Sequence, residues 1–126
     1  MSDLNNTKYT LIITIVNRGH ADQVMSAARE AGARGGTVIY ARGTGIHETD
    51  RFMNIAIQPE KEMVLIIVRK TEVKKTTKAI LEATGLRTEG RGISFTLPVT
   101  DLVGVVSSLG EDNMVEFFEE GTASEK

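Results

Sequence analysis

Glu30-Ala31-Gly32-Ala33-Arg34-Gly35-Gly36-Thr37-Val38-Ile39-Tyr40 runs from a helical pattern, through a glycine stop, into a β-rich stretch. Glu82-Ala83-Thr84-Gly85-Leu86-Arg87-Thr88-Glu89-Gly90-Arg91-Gly92-Ile93-Ser94-Phe95 does the same later in the chain. Each segment places an arginine and paired glycines between helix and strand. Glycine ends a helix readily because it takes the left-handed conformation at little cost. The repetition points to a fold of two similar halves with two basic, glycine-rich turns at equivalent places.

Working outward, Lys8 to Asn17 is apolar on both faces and reads as a central strand. Gly19 to Ala31 places Val24, Ala27, Ala28 and Ala31 on one helical face. Thr37 to Arg42 is a second strand, Phe52 to Gln58 an extended return, and Pro59-Glu60 a turn. Met63 to Arg69 is a third strand, again apolar on both faces. Thr71 is the expected N-cap of a helix whose apolar face is Val73, Thr77, Ile80 and Leu81. Lys74, Lys75 and Lys78 form its solvated face. Glu60 and Glu62 read as surface charges. Ile93 to Val99 alternates as a half-buried strand, and Leu102 to Val106 is a candidate extra edge strand.

The order β-α-β, loop, β-α-β predicts an α+β, ferredoxin-like β-α-β-β-α-β sandwich: an antiparallel sheet with two helices on one face. Strands apolar on both faces need cover for the open side, so a homo-oligomer is expected. Residues 1–110 form the domain and residues 111–126 an acidic tail.

The bulk numbers narrow the chemistry. One domain's worth of chain, 126 residues, holds no Cys and two His, so thiolate and zinc sites have few ligands to draw on. Aromatics are 5% of the chain and Trp is absent, which disfavours base stacking. The net charge of −2 conceals an asymmetry. Residues 111–126 carry six acidic side chains against Lys126, a balance of −5, while residues 1–110 carry 14 basic and 11 acidic, a balance of +3. A mildly basic body suits small anions better than nucleic acid, and no nucleic-acid partner is expected. The start of the sequence lacks a secretory pattern, and the longest apolar runs are strand length, so a cytoplasmic protein is expected.

Arg34-Gly35-Gly36-Thr37 has two readings. Successive glycine N–H groups can converge on an anion, with the arginine fork beside them. Equally, helix-to-strand turns favour glycine for backbone reasons alone. Gly90-Arg91-Gly92 allows the same pair of readings. Gly43-Thr44-Gly45 opens a polar loop and lacks the Gly-Lys-Ser/Thr of a P-loop. It is a plain connection or the hinge of a loop that presents Ile46, His47, Arg51, Phe52 and Met53 to a partner. No Ser-His-Asp or Cys-His arrangement is present, and the chain is not expected to be an enzyme.

These features together resemble the P-II signal-transduction family. The resemblance rests on Tyr9 to Val16, on Gly32-Ala33-Arg34-Gly35-Gly36-Thr37-Val38, on Gly43-Thr44-Gly45, on Gly90-Arg91-Gly92 and on Phe95-Thr96-Leu97-Pro98-Val99. It covers roughly Tyr9 to Val106 and implies a homotrimer, nitrogen regulation and signal transduction without a required cofactor. It implies an adenine nucleotide, ATP, ADP or AMP, in clefts between subunits. Carried over, those clefts use Gly35, Gly36 and Thr37, the loop base Gly43 and Gly45, and Gly90, Arg91 and Gly92, with Arg87 nearby. The family's T loop implies a regulated partner, a membrane transporter or a nitrogen-metabolism enzyme. The chain departs from the family where a phosphate-binding lysine aligns with Ile93 and two arginines align with Gly104 and Val106. The loop from Gly45 to Pro59 is short and has no tyrosine, which marks a divergent PII-like branch. The alternatives are a trimeric structural or metal-tolerance protein of the same fold without a nucleotide site, and a small phosphatase using Arg34 and Asn54.

Overall fold

Nine residues of alternating environment, Tyr9–Asn17, form β1, the strand around which the others assemble. The structure, a computed structural model, describes residues 7–44, 50–52, 55–57, 59–88 and 91–104; for 50–52 and 55–57 it describes the backbone. After β1 come α1 (Ala21–Glu30), β2 (Thr37–Arg42), β3 (Asp50–Phe52), β4 (Ile55–Ile57), β5 (Glu60–Arg69), α2 (Val73–Thr84) and β6 (Gly92–Val99). One antiparallel sheet has the order β2-β5-β1-β6, and β3 and β4 form a separate antiparallel pair. This is the expected ferredoxin-like arrangement.

One face of the sheet makes the core. Ile12 and Val16 of β1 meet Val64, Ile66 and Val68 of β5 beneath Val24, Ala27 and Ala28 of α1 and Ile80 of α2. Small residues on α1 let the helix sit close to the strands. Both helices end as the glycines predict. Gly32 has φ +114° and the Ala33 N–H reaches back to the Ala28 carbonyl; Gly85 has φ +68° and bonds the Leu81 carbonyl.

Several expectations need correction. The helix α2 begins at Val73 after a 3₁₀ turn, Lys70–Glu72, and its N-cap is Glu72, with no side-chain cap; Thr71 does not cap it. Its buried stripe is Thr76, Ile80 and Thr84, while Val73, Thr77 and Leu81 are half-buried. Threonine can be buried here because Thr76 and Thr84 donate their hydroxyls to the Glu72 and Ile80 carbonyls at 2.8 and 2.6 Å. The extended return is a short hairpin, and Pro59-Glu60 leads straight into β5 instead of turning. Leu102 to Gly104 is not strand, and residues 105 and 106 lie outside the described residues.

Glu62 is not a surface charge. It is buried, and its Oε1 accepts the N–H groups of Gly19 (2.8 Å) and Ala21 (3.0 Å). Those donors open α1, whose own N-cap residue, His20, makes no side-chain cap. A β5 carboxylate therefore caps a helix that follows β1, which no local pattern could show. Glu62→Ala is expected to cost about 2 kcal/mol, because it strands two donors of a charged hydrogen-bonded group. Glu60→Ala, which breaks an exposed pair with Arg18, should cost less than about 1 kcal/mol. Urea denaturation of the two variants makes the comparison.

Candidate functional site

The first glycine turn folds from the end of α1. Ala33 is buried, and Arg34, Gly35 and Gly36 follow it on the surface. The two glycines differ in what they do. A Cβ on Gly36 would lie 2.8 Å from Met25 Sδ and 3.0 Å from both Ile66 Cγ1 and the Leu65 carbonyl oxygen. Packing of the turn on β5 thus demands glycine at 36. A Cβ on Gly35 would meet nothing within 4 Å. Packing does not account for glycine at 35, and its backbone is open to an approaching ligand. Thr37 is exposed at the start of β2, paired across from Leu65.

The second turn is closed by backbone bonds from Thr88 N–H to the Gly85 carbonyl (2.8 Å) and from Arg91 N–H to the Thr88 carbonyl (3.2 Å). Arg87 and Arg91 are exposed on it. Gly90 lies outside the described residues. Gly92 has φ +141°, and a Cβ there would sit 2.3 Å from the Ile15 carbonyl oxygen. Its glycine is therefore structural: β6 enters the sheet by passing directly over β1.

The loop base is the third component. The Gly43 N–H donates to the Pro59 carbonyl at 3.2 Å, so the chain leaves and re-enters the domain at one point. Arg42 pairs across from Glu60 in the last register of β2 with β5. Gly45, Ile46, His47 and Met53 lie outside the described residues. Arg51 and Phe52 fall in β3, whose backbone alone is described. Beside this base is a cleft of about 370 Å³ lined by Arg18, Tyr40, Ala41, Arg42, Glu60 and Lys61. Lys61 Nζ donates to Asn17 Oδ1 at 2.6 Å, and Arg18 pairs with Glu60. Sequence reasoning missed this group of cations. The available signal was the one used elsewhere: Arg18 and Arg42 each stand directly before a glycine, Gly19 and Gly43.

Register then decides how the pieces relate. The strand β2 is one edge of the sheet and β6 the other. Three inter-strand steps separate them, roughly 14 Å. Within one subunit the turn at Gly35 and the turn at Gly92 cannot hold the same phosphate group, since its donors must lie about 3 Å away.

The face of the sheet turned away from the two helices, open among the described residues, spans from one edge to the other. On it, Leu11, Ile13 and Ile15 of β1 pair across from Ile67, Leu65 and Met63 of β5, and from Leu97, Phe95 and Ile93 of β6. Directly opposed residues share a face, so these side chains form one apolar layer. Ile93, Phe95 and Leu97 are 57%, 40% and 48% exposed. The expectation that β6 is a half-buried strand is corrected in this respect: its apolar side faces away from the subunit's own core.

A four-stranded antiparallel sheet in the order β2-β5-β1-β6, with two helices on one face, defines a ferredoxin-like domain. The family model described as nitrogen regulatory protein P-II matches residues 9–108, and the chain belongs to that family. Among solved structures it is similar to PII of Arabidopsis thaliana, crystallised with citrate. The two are 30% identical over 84% of this chain and 92% of that one, with a TM-score of 0.64. No curated protein matches the sequence.

Proposed function

We propose that this chain is a PII-like regulator, not an enzyme, that assembles through its open sheet face as a homotrimer. It binds an adenine nucleotide or a related small anion between subunits. The observation that carries the reading is the apolar face bounded by a glycine turn at each edge. Burying that face against other copies brings the β2 edge of one subunit toward the β6 edge of the next. Gly35, Gly36 and Thr37 then form one wall and Gly90, Arg91 and Gly92 the other, with Arg87 adding charge. Exposure of so large an apolar layer is otherwise unfavourable at about 25 cal/mol for each Å².

Support for an anionic ligand comes from the unhindered backbone at Gly35, the exposed arginines of the second turn and the cations at the loop base. The similar plant protein bound citrate, itself a small polyanion. The loop that leaves at Gly43 carries the signal to a regulated protein, a membrane transporter or a nitrogen-metabolism enzyme. Ile46, His47, Arg51, Phe52 and Met53 form its contact surface. Among the described residues no helix is long and apolar enough to cross a membrane.

Calorimetry with ATP, ADP, AMP and cyclic nucleotides tests the ligand, with and without 2-oxoglutarate, bicarbonate or citrate. Binding by one nucleotide is expected; silence across the panel at millimolar concentration rejects the nucleotide reading. Gly35→Asp should weaken that binding by tenfold or more, about 1.4 kcal/mol. It places a carboxylate in the turn without a steric clash, so melting temperature and oligomeric state should hold. Loss of assembly together with binding would show that the glycine is structural after all.

A further inference from the structure

The exposed face of α2 carries Lys74, Lys75 and Lys78 in one stripe, since residues three and four apart are neighbours on a helix. Arg69 and Lys70, also exposed, lead into it, and Glu82 ends it one turn beyond Lys78. Beyond Glu72 at the N-cap, the first turn of α2 holds no acidic residue. Cations near a helix N-terminus add to the positive end of its dipole instead of offsetting it. Helix stability therefore does not account for this arrangement.

The same chain carries the matching charge. Glu111, Asp112, Glu116, Glu119 and Glu120 lie within ten residues of one another beyond the sheet. Register shows where that segment sets out. Val99, at the end of β6, pairs across from Tyr9, and Tyr9 pairs across from Arg69. The exit of β6 and the approach to α2 thus share one end of the sheet, two strand steps or roughly 10 Å apart. The described chain runs on to Gly104. From Val99 to Glu111 an extended chain reaches about 40 Å, while the lysines follow Arg69 by five to nine residues, mostly helical at about 1.5 Å each, so the span is covered.

We propose that the acidic segment 111–126 is held electrostatically on the Lys74–Lys75–Lys78 stripe of α2. The occupant is this chain's own tail, selected by charge, by reach and by the point of exit. Docked there, the tail cancels the positive charge of the helix face and keeps other polyanions away from it. Raised salt, or a more highly charged partner, displaces it.

The absence of Cys allows a single nitroxide label at Asn113→Cys, inside the acidic run and without loss of a charge. In the intact chain the label should broaden amide signals of residues 73–80 selectively. Broadening should vanish at about 1 M salt, where screening acts within about 3 Å. It should vanish equally in a variant carrying Lys74→Gln, Lys75→Gln and Lys78→Gln, whose exposed positions leave the fold intact. Broadening spread evenly over the surface, or unchanged by the three substitutions, overturns the proposal. So does capture of the intact protein by anionic lipid vesicles through these lysines while the label reports no proximity, which would assign the face to a membrane.

Discussion

Phe95→Asp is expected to leave the subunit folded and to abolish the assembly proposed through its open face. Phe95 pairs across from Ile13 in the middle of the open face and is flanked by Ile93 and Leu97 on the same side of β6. In the isolated chain it is 40% exposed, so the subunit's own core does not depend on it. Sheet-to-sheet contact between copies would bury it fully, worth about 1.5–3 kcal/mol for a large apolar side chain. Aspartate forfeits that gain and adds the cost of burying an unpaired charge. Every copy carries the change, so the penalty repeats at each interface. Sedimentation should show a single subunit with a near-native circular dichroism spectrum. Thr96→Asp, one residue on and facing the other way, should leave assembly unchanged. A Phe95→Asp protein that still sediments as an oligomer would mean that the open face is not the interface.

Gly92→Ala should be the most damaging glycine-to-alanine change among the described residues. The added carbon would stand 2.3 Å from the Ile15 carbonyl oxygen, and φ is +141°. The contact is with backbone, so no rotamer change relieves it, and the left-handed region disfavours any side chain. Relief requires β6 to lift from β1, on which the pairing of Gly92 to Val99 depends. A loss of about 3 kcal/mol or more is expected in urea denaturation. Gly35→Ala, with open space around it, should stay within about 0.5 kcal/mol. Equal effects at the two positions would refute the division into structural and ligand-facing glycines.

That division could not be read from the sequence. Gly35, Gly36 and Gly92 stand in similar local contexts, each beside another glycine or an arginine. What separates them is the distance to Met25, Ile66 and Ile15, residues remote in the chain. Glu62 makes the same point. Its neighbours Glu60 and Lys61 suggest a solvated charge run, yet its partners are the amides of Gly19 and Ala21, about forty residues earlier. Thr76 was missed because a buried threonine looks polar until its hydroxyl is seen bonded to the turn before it.

Periodicity and glycine stops, which are local properties, were enough to define the two helices, the strands of the main sheet and the ferredoxin-like order. The need for a covered second face was also legible, because β1 and β5 are apolar on both sides. Only the tertiary structure decided which glycines are steric necessities, which carboxylate caps α1, and that the two glycine turns lie at opposite edges of one sheet. Those facts depend on distances between segments far apart in sequence. Such distances are set by strand register and side-chain packing, which the local pattern constrains but does not specify.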